Sequence, residues 1–389
     1  MKKILFSIIF TLAVLVGLTA AFATAVSADP GPDWGAQFAQ GAVYTMTNAA
    51  SGNAVVMYTR NANGMLTPAG SFPTGGVGLN ETTPDPLGSQ NSLILTQDGK
   101  WLLAVNAGSN TITVFQVKQN GLKAVDWVSS GGISPVSLTI FGDEVFVLND
   151  GVSNPILDGT TVTPGNITGF TLRDNGDLDP TGVVRTLPVG GAQDFGQVGF
   201  DKTGNWLIVT DKADSNILVY SMGWDRTPAA NPVTYLDPGV VPFGFIFDAV
   251  DNLIVVEAAD SAVSSYHIKF DGTLKVISQS ISNGDSTACW IAQSGIGPIF
   301  TTNPGGATGT ISSFKDMFFT GNITLLNGSA ANLNRTIDEG LSNDGQYLYA
   351  LAPGVGIDGF KVSPNGNLTS LGIFPETVTS GYVQGIAVR

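Results

Sequence analysis

Acidic side chains stand at three places where an apolar segment begins or ends, and these are the residues that could do proton chemistry. Asp211 and Glu257 each close such a segment, and Asp338 opens another. Two carboxyl groups whose surroundings hold their pKa values apart can divide the work of a general acid and a general base. We therefore predict Asp338, Glu257 and Asp211 as the catalytic residues of any reaction that this chain performs.

Amide side chains recur close to the starts of apolar segments. An amide both donates and accepts hydrogen bonds, which suits uncharged polar ligands such as sugars. One arginine, Arg335, precedes the segment that Asp338 opens, and it could equally be a solvated loop charge. The predicted substrate-binding residues are Gln197, Asn91, Gln193, Asn106, Gln384 and Arg335.

A second polar series follows the next segment of each repeat, and two explanations for it stay open. Its members are Asn48, Asn106, Asn149, Asp211, Glu257 and Asn303, with Ala352 breaking the series. Asn and Asp start turns by bonding their own backbone, so the series could cap strands. It could instead form a polar collar for sugar hydroxyls, a lactone or Ca²⁺. Because no D-x-D-x-D-G spacing occurs, we predict neither a metal nor a cofactor.

The single histidine and the single cysteine limit the available chemistry. His267 is the only imidazole and Cys289 the only thiol, so an intrachain disulfide, a cysteine cluster and a multi-histidine zinc site are all excluded by the count. We interpret His267 as a surface residue and Cys289 as a small buried side chain.

The elements that must position these residues repeat along the chain. An aromatic residue closes a short β-branched segment seven times, at intervals of roughly 46 to 57 residues: Tyr58, Phe115, Phe170, Tyr220, Tyr266, Phe314 and Phe360. Short alternating segments are separated by turn pairs such as Asp98-Gly99 and Asp344-Gly345. A period of this length with several strands per unit is typical of a β-propeller blade.

The two ends of the repeat region complete one another. The segment 41–48 resembles a second strand without a first, and 382–389 resembles a first strand without a second. We therefore predict an all-β, seven-bladed β-propeller whose ring closes by pairing of the C-terminal strand with the N-terminal blade, which removes exposed sheet edges. Long connections at 75–89 and 152–165 are expected to frame a binding face.

The first 28 residues read as a targeting segment rather than as part of the fold. Lys2 and Lys3 precede an apolar run, and Val26-Ser27-Ala28 provides small residues before Asp29. We predict a secretory signal peptide over 1–28 and one propeller domain over 29–389, although an uncleaved anchor has a similar length.

The net charge of the predicted domain limits the kinds of partner that it can bind. Loss of Lys2 and Lys3 would change the net charge from −14 to −16. Such an acidic chain is not expected to bind nucleic acid or an anionic membrane surface. We expect an exported monomer that does not insert into a membrane after cleavage and whose partner is a small-molecule lactone or a carbohydrate.

The strings DGKWLLAVNAGSNTITVFQV and TGNWLIVTDKADSNILVYSM resemble the lactonase-type seven-bladed propellers, which include 6-phosphogluconolactonase-like and carboxymuconate cyclase-like enzymes. The resemblance extends over about 41–389. It implies a channel-mouth active site built from His, Arg and Glu. Alignment on the Asp-Gly turns places these residues at the family's channel histidine: Ser92, Ser137, Gln197, Gly244, Cys289, Asp338 and Gly385.

None of these seven residues is a histidine, so two functions stay open. The first is a lactonase-like enzyme that hydrolyses or cyclises a lactone derived from a sugar or a dicarboxylic acid at the channel mouth. The second is a non-catalytic extracellular propeller that binds a carbohydrate or a protein. Fold likeness alone does not choose between them, because one fold hosts many activities.

Overall fold

The propeller is built from seven sheets of four strands each. A computed structural model describes residues 41–79, 85–119, 121–151, 163–188, 193–285, 287–293, 295–305, 308–333, 336–377 and 383–389. Within these ranges the strands form seven antiparallel sheets, and each sheet is one blade. The seven-bladed all-β fold predicted from the repeats is confirmed.

The first four blades follow the chain from the amino end. Blade one contains β1 (Ala42–Met46), β2 (Ala54–Arg60), β3 (Leu66–Pro73) and, as its inner strand, β28 (Gln384–Val388). Blade two contains β4 (Leu93–Leu95), β5 (Trp101–Asn106), β6 (Thr111–Lys118) and β7 (Gly121–Ser129). Blade three contains β8 (Pro135–Phe141), β9 (Glu144–Asn149), β10 (Asn166–Leu172) and β11 (Leu178–Thr186). Blade four contains β12 (Phe195–Phe200), β13 (Trp206–Asp211), β14 (Asn216–Ser221) and β15 (Val233–Leu236).

The last three blades have the same order, with the first-named strand innermost. Blade five contains β16 (Pro242–Phe247), β17 (Leu253–Glu257), β18 (Ala262–Ile268) and β19 (Leu274–Ser282). Blade six contains β20 (Trp290–Gln293), β21 (Ile299–Asn303), β22 (Gly309–Met317) and β23 (Asn322–Leu333). Blade seven contains β24 (Glu339–Leu341), β25 (Tyr347–Ala352), β26 (Gly356–Val362) and β27 (Leu368–Pro375).

The ring closes where the C-terminal strand pairs with the first one. Strand β28 is antiparallel to β1, with Val43 opposite Val388 and Tyr44 opposite Ala387. Backbone hydrogen bonds join Arg389 and Ala42 in both directions, at 2.8 and 3.2 Å. Closure gives β1 a partner on both sides, so it presents no free edge for another chain. The predicted pairing of the two chain ends is confirmed.

Tight turns connect the inner and second strands of a blade. Gly99 has φ +66° and Gly204 has φ +71°, in the left-handed region that favours glycine. Next to Gly99, Asp98 accepts from the Thr96 hydroxyl at 2.6 Å and from the Lys100 N–H at 3.0 Å, which fixes the loop. The turn residues seen in the sequence therefore set the register of the two strands they join.

The recurring aromatic residues all lie on third strands and are buried between blades. Their exposed fractions do not exceed 4 %. Burying an aromatic side chain of this size contributes about 1.5 to 3 kcal/mol each, so the repeat marks the packing between neighbouring blades rather than a binding surface.

Inner and third strands run toward one end of the ring, and second and fourth strands run back. We name the end where the inner strands begin the mouth face, and the opposite end the base face. Asp338, Asp211, Glu257 and Lys212 lie toward the mouth face. The predicted signal peptide, Arg335 and the stretch 152–162 lie outside the described residues. In the described part of the chain, no helix has the length and apolar character needed to cross a membrane.

Candidate functional site

The segment 88–91, which leads into β4, crosses the central channel near the mouth face. Gln90 belongs to blade two, yet its side-chain amide bonds to Ile291 on the inner strand of blade six. Blades two and six are not neighbours in the ring, so this contact passes through the channel. We call residues 88–91 the plug.

Hydrogen bonds fix the plug to the inner strands of blades three and four. The Ser89 hydroxyl donates to Val136 O at 2.7 Å, and the Ser137 hydroxyl donates to Gln90 O at 2.7 Å. The N–H of Gln90 donates to Gly196 O at 3.0 Å. Because both backbone and side-chain groups of the plug form hydrogen bonds, the plug is a structural part of the channel.

The Gln90 amide reaches blade six in a bidentate geometry. Its Nε2 donates to Ile291 O at 3.0 Å, and its Oε1 accepts from Ile291 N at 3.1 Å. Gly244 makes room for it, because a Cβ on Gly244 would lie 2.2 Å from that Oε1. Trp290 Nε1 also donates to Ser89 O at 2.9 Å. Blade six therefore binds the plug through both backbone and indole.

Gln197 uses its amide in the same way, between adjacent blades. Its Oε1 accepts from Phe245 N at 2.7 Å and its Nε2 donates to Phe245 O at 3.0 Å. A ligand could engage this amide only by displacing bonds that hold blade four to blade five. Whether Gln197 binds a substrate stays a prediction.

The strand register corrects the sequence alignment in blades one and six. Ser137 and Gln197 each pair with the penultimate residue of the second strand of their blade, which is Leu148 in blade three and Thr210 in blade four. In blade one the residue that pairs with Thr45, the penultimate residue of β1, is Ile386, and the aligned Gly385 precedes it. In blade six the residue that pairs with the penultimate Thr302 is Trp290. The residue in line with the channel position of that blade is thus Trp290, and Cys289 precedes it. Asp-Gly spacing could not show this, because blade six has no such turn.

Ionisable groups from three blades converge beside the plug at the mouth face. Lys212 Nζ donates to Gly88 O and forms an ion pair with Asp194 at 2.7 Å. Asp85 accepts from Gly88 N at 3.0 Å and lies within electrostatic range of Lys212. The carboxylate of Asp85 in turn acts on Asp338 of blade seven. We call Asp85, Lys212, Asp194 and Asp338 the mouth cluster.

The two carboxyl groups at the centre of the mouth cluster are both held toward the protonated form. Burial raises the pKa of Asp85 to about 6, although the Gly88 N–H and Lys212 oppose the change. Burial also raises the pKa of Asp338 well above its usual value, and the negative charge of Asp85 adds to that. Asp338 keeps both oxygens bonded, to Glu339 N at 2.9 Å and Ile386 N at 3.2 Å. Each of the two negative charges would oppose the other, so the pair disfavours simultaneous ionisation.

Apolar side chains form the wall beside the mouth cluster. The rings of Phe243 and Trp290 meet edge to face at 5.0 Å, and Lys212 Nζ lies 4.7 Å from the centre of the Phe243 ring. Cys289 is buried among them, and burial raises the pKa of its thiol. A protonated, buried thiol is a poor nucleophile.

Asp211 and Glu257 do not join Asp338. Glu257 is fully buried and accepts from the hydroxyls of Ser264 and Ser280, both in its own blade. Asp211 accepts from Asp214 N at 3.2 Å, and burial raises its pKa to about 6. The three predicted acids thus have different neighbours, and their catalytic roles stay predictions. In the described residues no group of three or more His, Cys, Asp and Glu side chains could hold a metal ion.

Asn106 is bonded inside its own blade and to the next one. Its amide donates to the hydroxyls of Thr111 and Thr113 at 3.2 and 2.9 Å, and its oxygen accepts from Asn53. Asn303 repeats the pattern with Thr310 and with Ser312. These bonds go to side chains of the third strand and of a neighbouring blade, whereas the strand-capping explanation of the polar series requires bonds to the residue's own backbone. Substrate binding by Asn106 stays a prediction.

The remaining predicted binding residues are dispersed. Gln193 accepts from Gly165 N and donates to Thr163 O at 3.2 Å. Gln384 is buried, and its backbone oxygen accepts from the Thr45 hydroxyl at 3.4 Å. Asn91 adopts φ +66° and contributes to a cavity of about 560 Å³ that extends from the plug toward the base face. The roles of these side chains in binding stay predictions.

Asp85 was not assigned a site role from the sequence, and Gln90 was considered only as one of the amides that suit polar ligands. Asp85 and the bonding of Gln90 lie in or next to the connection 75–89 that was expected to frame a binding face. The signal available in the sequence was the length of that connection. Its path across the channel depends on contacts with blades three, four and six, which no local pattern records.

Comparison with known proteins finds a family that part of the chain resembles. Residues 39–151 match the family model described as lactonase, 7-bladed beta-propeller, and the structure has the seven blades that this description requires. The chain is a lactonase-like β-propeller. No curated protein matches the sequence.

Solved structures agree with this lactonase-like propeller in fold. A candidate 6-phosphogluconolactonase of Bacteroides fragilis superposes with a TM-score of 0.68 at 16% identity, over 91% of this chain and 99% of the other. The periplasmic gluconolactonase of Pseudomonas aeruginosa gives a TM-score of 0.65 at 16% identity, over 89% and 99% of the two chains. At such identity the likeness shows the fold alone.

Proposed function

We propose that this lactonase-like propeller opens a small lactone, derived from a sugar acid or a dicarboxylic acid, at its mouth face. The observation that supports the proposal is the mouth cluster, where Asp85, Asp338 and Lys212 come together from three blades. The cluster contains one carboxyl group whose pKa is raised to about 6, a second whose pKa is raised well above its usual value, and the amino group of Lys212. These are the three functional groups that lactone hydrolysis needs.

The roles follow from the two pKa directions. Asp85, with a pKa of about 6, is largely ionised at neutral pH and would accept the proton of an attacking water. That water would add to the lactone carbonyl carbon, and Lys212 would stabilise the negative charge that develops on the carbonyl oxygen. Asp338, whose pKa is raised well above the usual value, would donate its proton to the ring oxygen as the carbon–oxygen bond breaks. The product is a hydroxy acid, and proton exchange with water restores both groups.

The proposal replaces an imidazole with a pair of carboxyl groups. A carboxyl group can act near neutral pH when burial raises its pKa, which is what a histidine provides without burial. His267 cannot contribute to this site, since it lies on β18 and faces Lys275 on β19, in the outer half of blade five. A lactonase that uses Asp85 as base and Asp338 as acid would therefore lose rate as the pH falls below about 6, where Asp85 becomes protonated.

The test is hydrolysis of gluconolactone and of an unsaturated dicarboxylic lactone, followed by titration of the released acid. Asp338→Asn and Asp85→Asn should each lower the rate by about 100-fold or more, which is typical for loss of an acid or base catalyst. Asp271→Asn, an exposed turn residue at the base face, is the matched control and should leave the rate unchanged. A wild-type rate no greater than that in buffer, for every lactone tried, would exclude the enzymatic function.

A second candidate function is carbohydrate binding without turnover. The observation that favours it is that the plug spans the channel through the bonded amide of Gln90, while Asp338 and Lys212 are only 4 % and 6 % exposed and are poorly placed to reach a reacting carbonyl. Calorimetric titration with aldonic acids and neutral sugars would detect such binding. Affinity that falls in Lys212→Met but not in Asp271→Asn, without any hydrolysis, would identify a binding protein.

We also propose that the chain is exported, with cleavage after Ala28. The segment 1–28 has the charged start, the apolar run and the small residues of a signal peptide. A fold neighbour is described as periplasmic, which is compatible with this proposal. Amino-terminal sequencing of protein recovered outside the cytoplasm should begin at Asp29, and recovery of a chain that begins at Met1 in the cytosol would refute it.

A further inference from the structure

Four large apolar side chains protrude from turns at the base face of three consecutive blades. Trp224 follows β14 in blade four, Phe270 follows β18 in blade five, and Phe319 follows β22 in blade six. Their exposed fractions are 105 %, 102 % and 89 %, and Ile296, in the β20–β21 turn, reaches 72 %. Side chains of this size are rarely left fully in water unless they have a partner. We call these four residues the apolar tips.

The apolar tips are parts of small apolar clusters rather than isolated side chains. Trp224 and Phe270 line a cavity of about 540 Å³ together with Trp206, Met222 and Ile268. In blade six, the ring of Phe319 meets Phe318 edge to face at 4.8 Å. Each cluster therefore presents an apolar surface that continues from its tip toward the body of the blade.

Basic residues are concentrated in the same half of the molecule. All but two of the described Lys and Arg residues lie in turns of the base face or on strand segments that lead to them. The two exceptions are Arg185 and Lys212. Among the turns that carry the apolar tips, Lys269 precedes Phe270 directly and Arg226 follows Trp224 by two residues. Asp225 and Asp271 share these turns, so the charge around the tips is nearly balanced.

The mouth face has the opposite character. Acidic residues cluster there with Lys212 as their main counter-charge, and the negative charge of the chain is largely on that side. These acids are Asp85, Asp150, Asp194, Asp211, Asp214, Asp237, Glu257, Asp260, Asp285, Asp338, Glu339 and Glu376. The acidic net charge of the whole chain led us to expect no membrane contact. Because most of that negative charge lies at the mouth face, the expectation does not apply to the base face.

We propose that the base face docks on the surface of a lipid bilayer, with the apolar tips inserted between the headgroups. A bilayer accepts separate protruding side chains, whereas a folded partner would need a matching pocket for each tip. Trp and Phe are side chains that favour the membrane interface. The nearly balanced charge at the tips does not oppose approach to anionic lipid, and the acidic mouth face would point away from the membrane, open to substrate. This docking does not depend on the proposed lactone chemistry.

The experiment measures flotation of the purified full chain with vesicles. One vesicle preparation is phosphatidylcholine alone and the other is an equimolar mixture with phosphatidylglycerol. We expect similar binding to both, because the insertion is mainly apolar and the charge around the apolar tips is nearly balanced. The triple variant Trp224→Ser, Phe270→Ser, Phe319→Ser should bind at least about tenfold more weakly.

A matched control removes apolar side chains from the other end. Trp127 and Leu236 are 54 % and 70 % exposed and lie toward the mouth face, so Trp127→Ser, Leu236→Ser should bind as the wild type does. Equal binding by the triple variant and the wild type, or no wild-type binding to either vesicle, overturns the proposal. So does a lipid-free wild-type dimer that becomes a monomer in the triple variant, since the tips would then contact a second copy of this chain.

Discussion

Replacing Gln90 by alanine tests the claim that the plug is a structural member of the channel. The substitution removes both hydrogen bonds to Ile291, at 3.0 and 3.1 Å, and leaves a buried N–H and a buried C=O without their partner. Each stranded group costs about 1 to 3 kcal/mol, so Gln90→Ala should lower the free energy of unfolding by about 2 to 6 kcal/mol.

Urea unfolding followed by tryptophan fluorescence measures this loss, with the free energy obtained by linear extrapolation. Gln97→Ala is the control, because Gln97 is an exposed glutamine at the base end of the same blade. Its effect should stay within about 0.5 kcal/mol. A Gln90→Ala variant as stable as the Gln97→Ala control would refute the reasoning, since it would mean that water or the wall of the channel satisfies Ile291 equally well.

Three further predictions concern the same protein. Burial raises the pKa of Asp237 to about 7, so below that pH the folded state binds a proton that the unfolded state releases. The free energy of unfolding should therefore rise as the pH falls from 8 to about 5. In Asp237→Asn this rise should be smaller. Gly244→Ala should destabilise the fold by about 1 to 3 kcal/mol through overpacking against Gln90, with a smaller loss in a Gln90→Ala background. Ile386→Asp should destabilise the fold by about 3 kcal/mol or more and promote aggregation, because it places a charge in the strand that closes the ring. Urea midpoints measure the stability of the Gly244 and Ile386 variants, and light scattering measures aggregation of the Ile386 variant. Values equal to those of the wild type would contradict these two predictions.

The fold was predictable because each blade repeats the same local information. Aromatic residues such as Phe115 and Tyr220 recur with one period, and turns such as Asp98-Gly99 mark the hairpins between them. The closure at β1 and β28 was predictable too, because an incomplete repeat at each end can be satisfied only by the other. Strand periodicity and turn chemistry are short-range properties, and a single sequence contains them in full.

The mouth was less predictable, because its geometry depends on contacts between distant segments. Asp338 lies beside Asp85 only because the connection before β4 turns into the channel, and Gln90 is matched to Ile291 across about two hundred positions of sequence. Trp290 replaced Cys289 at the channel position because blade six has no Asp-Gly turn to set the alignment. A repeat pattern contains only the features that all blades have in common, whereas these contacts are made by single blades.

The polar series at the ends of the second strands shows the same division. Asn106 bonds to Thr113, and Asn303 bonds to Ser312, each two residues beyond its paired position on the third strand. In blade seven the second strand ends at Ala352, and the residue two beyond its partner Gly356 is Asp358. In blade seven the polar side chain therefore lies on the third strand rather than on the second. Burial raises the pKa of the Asp358 carboxyl to about 6. A buried acidic side chain thus stands on the third strand of blade seven, where blades two and six have the hydroxyl that their second-strand amide binds, and only the strand pairing shows this.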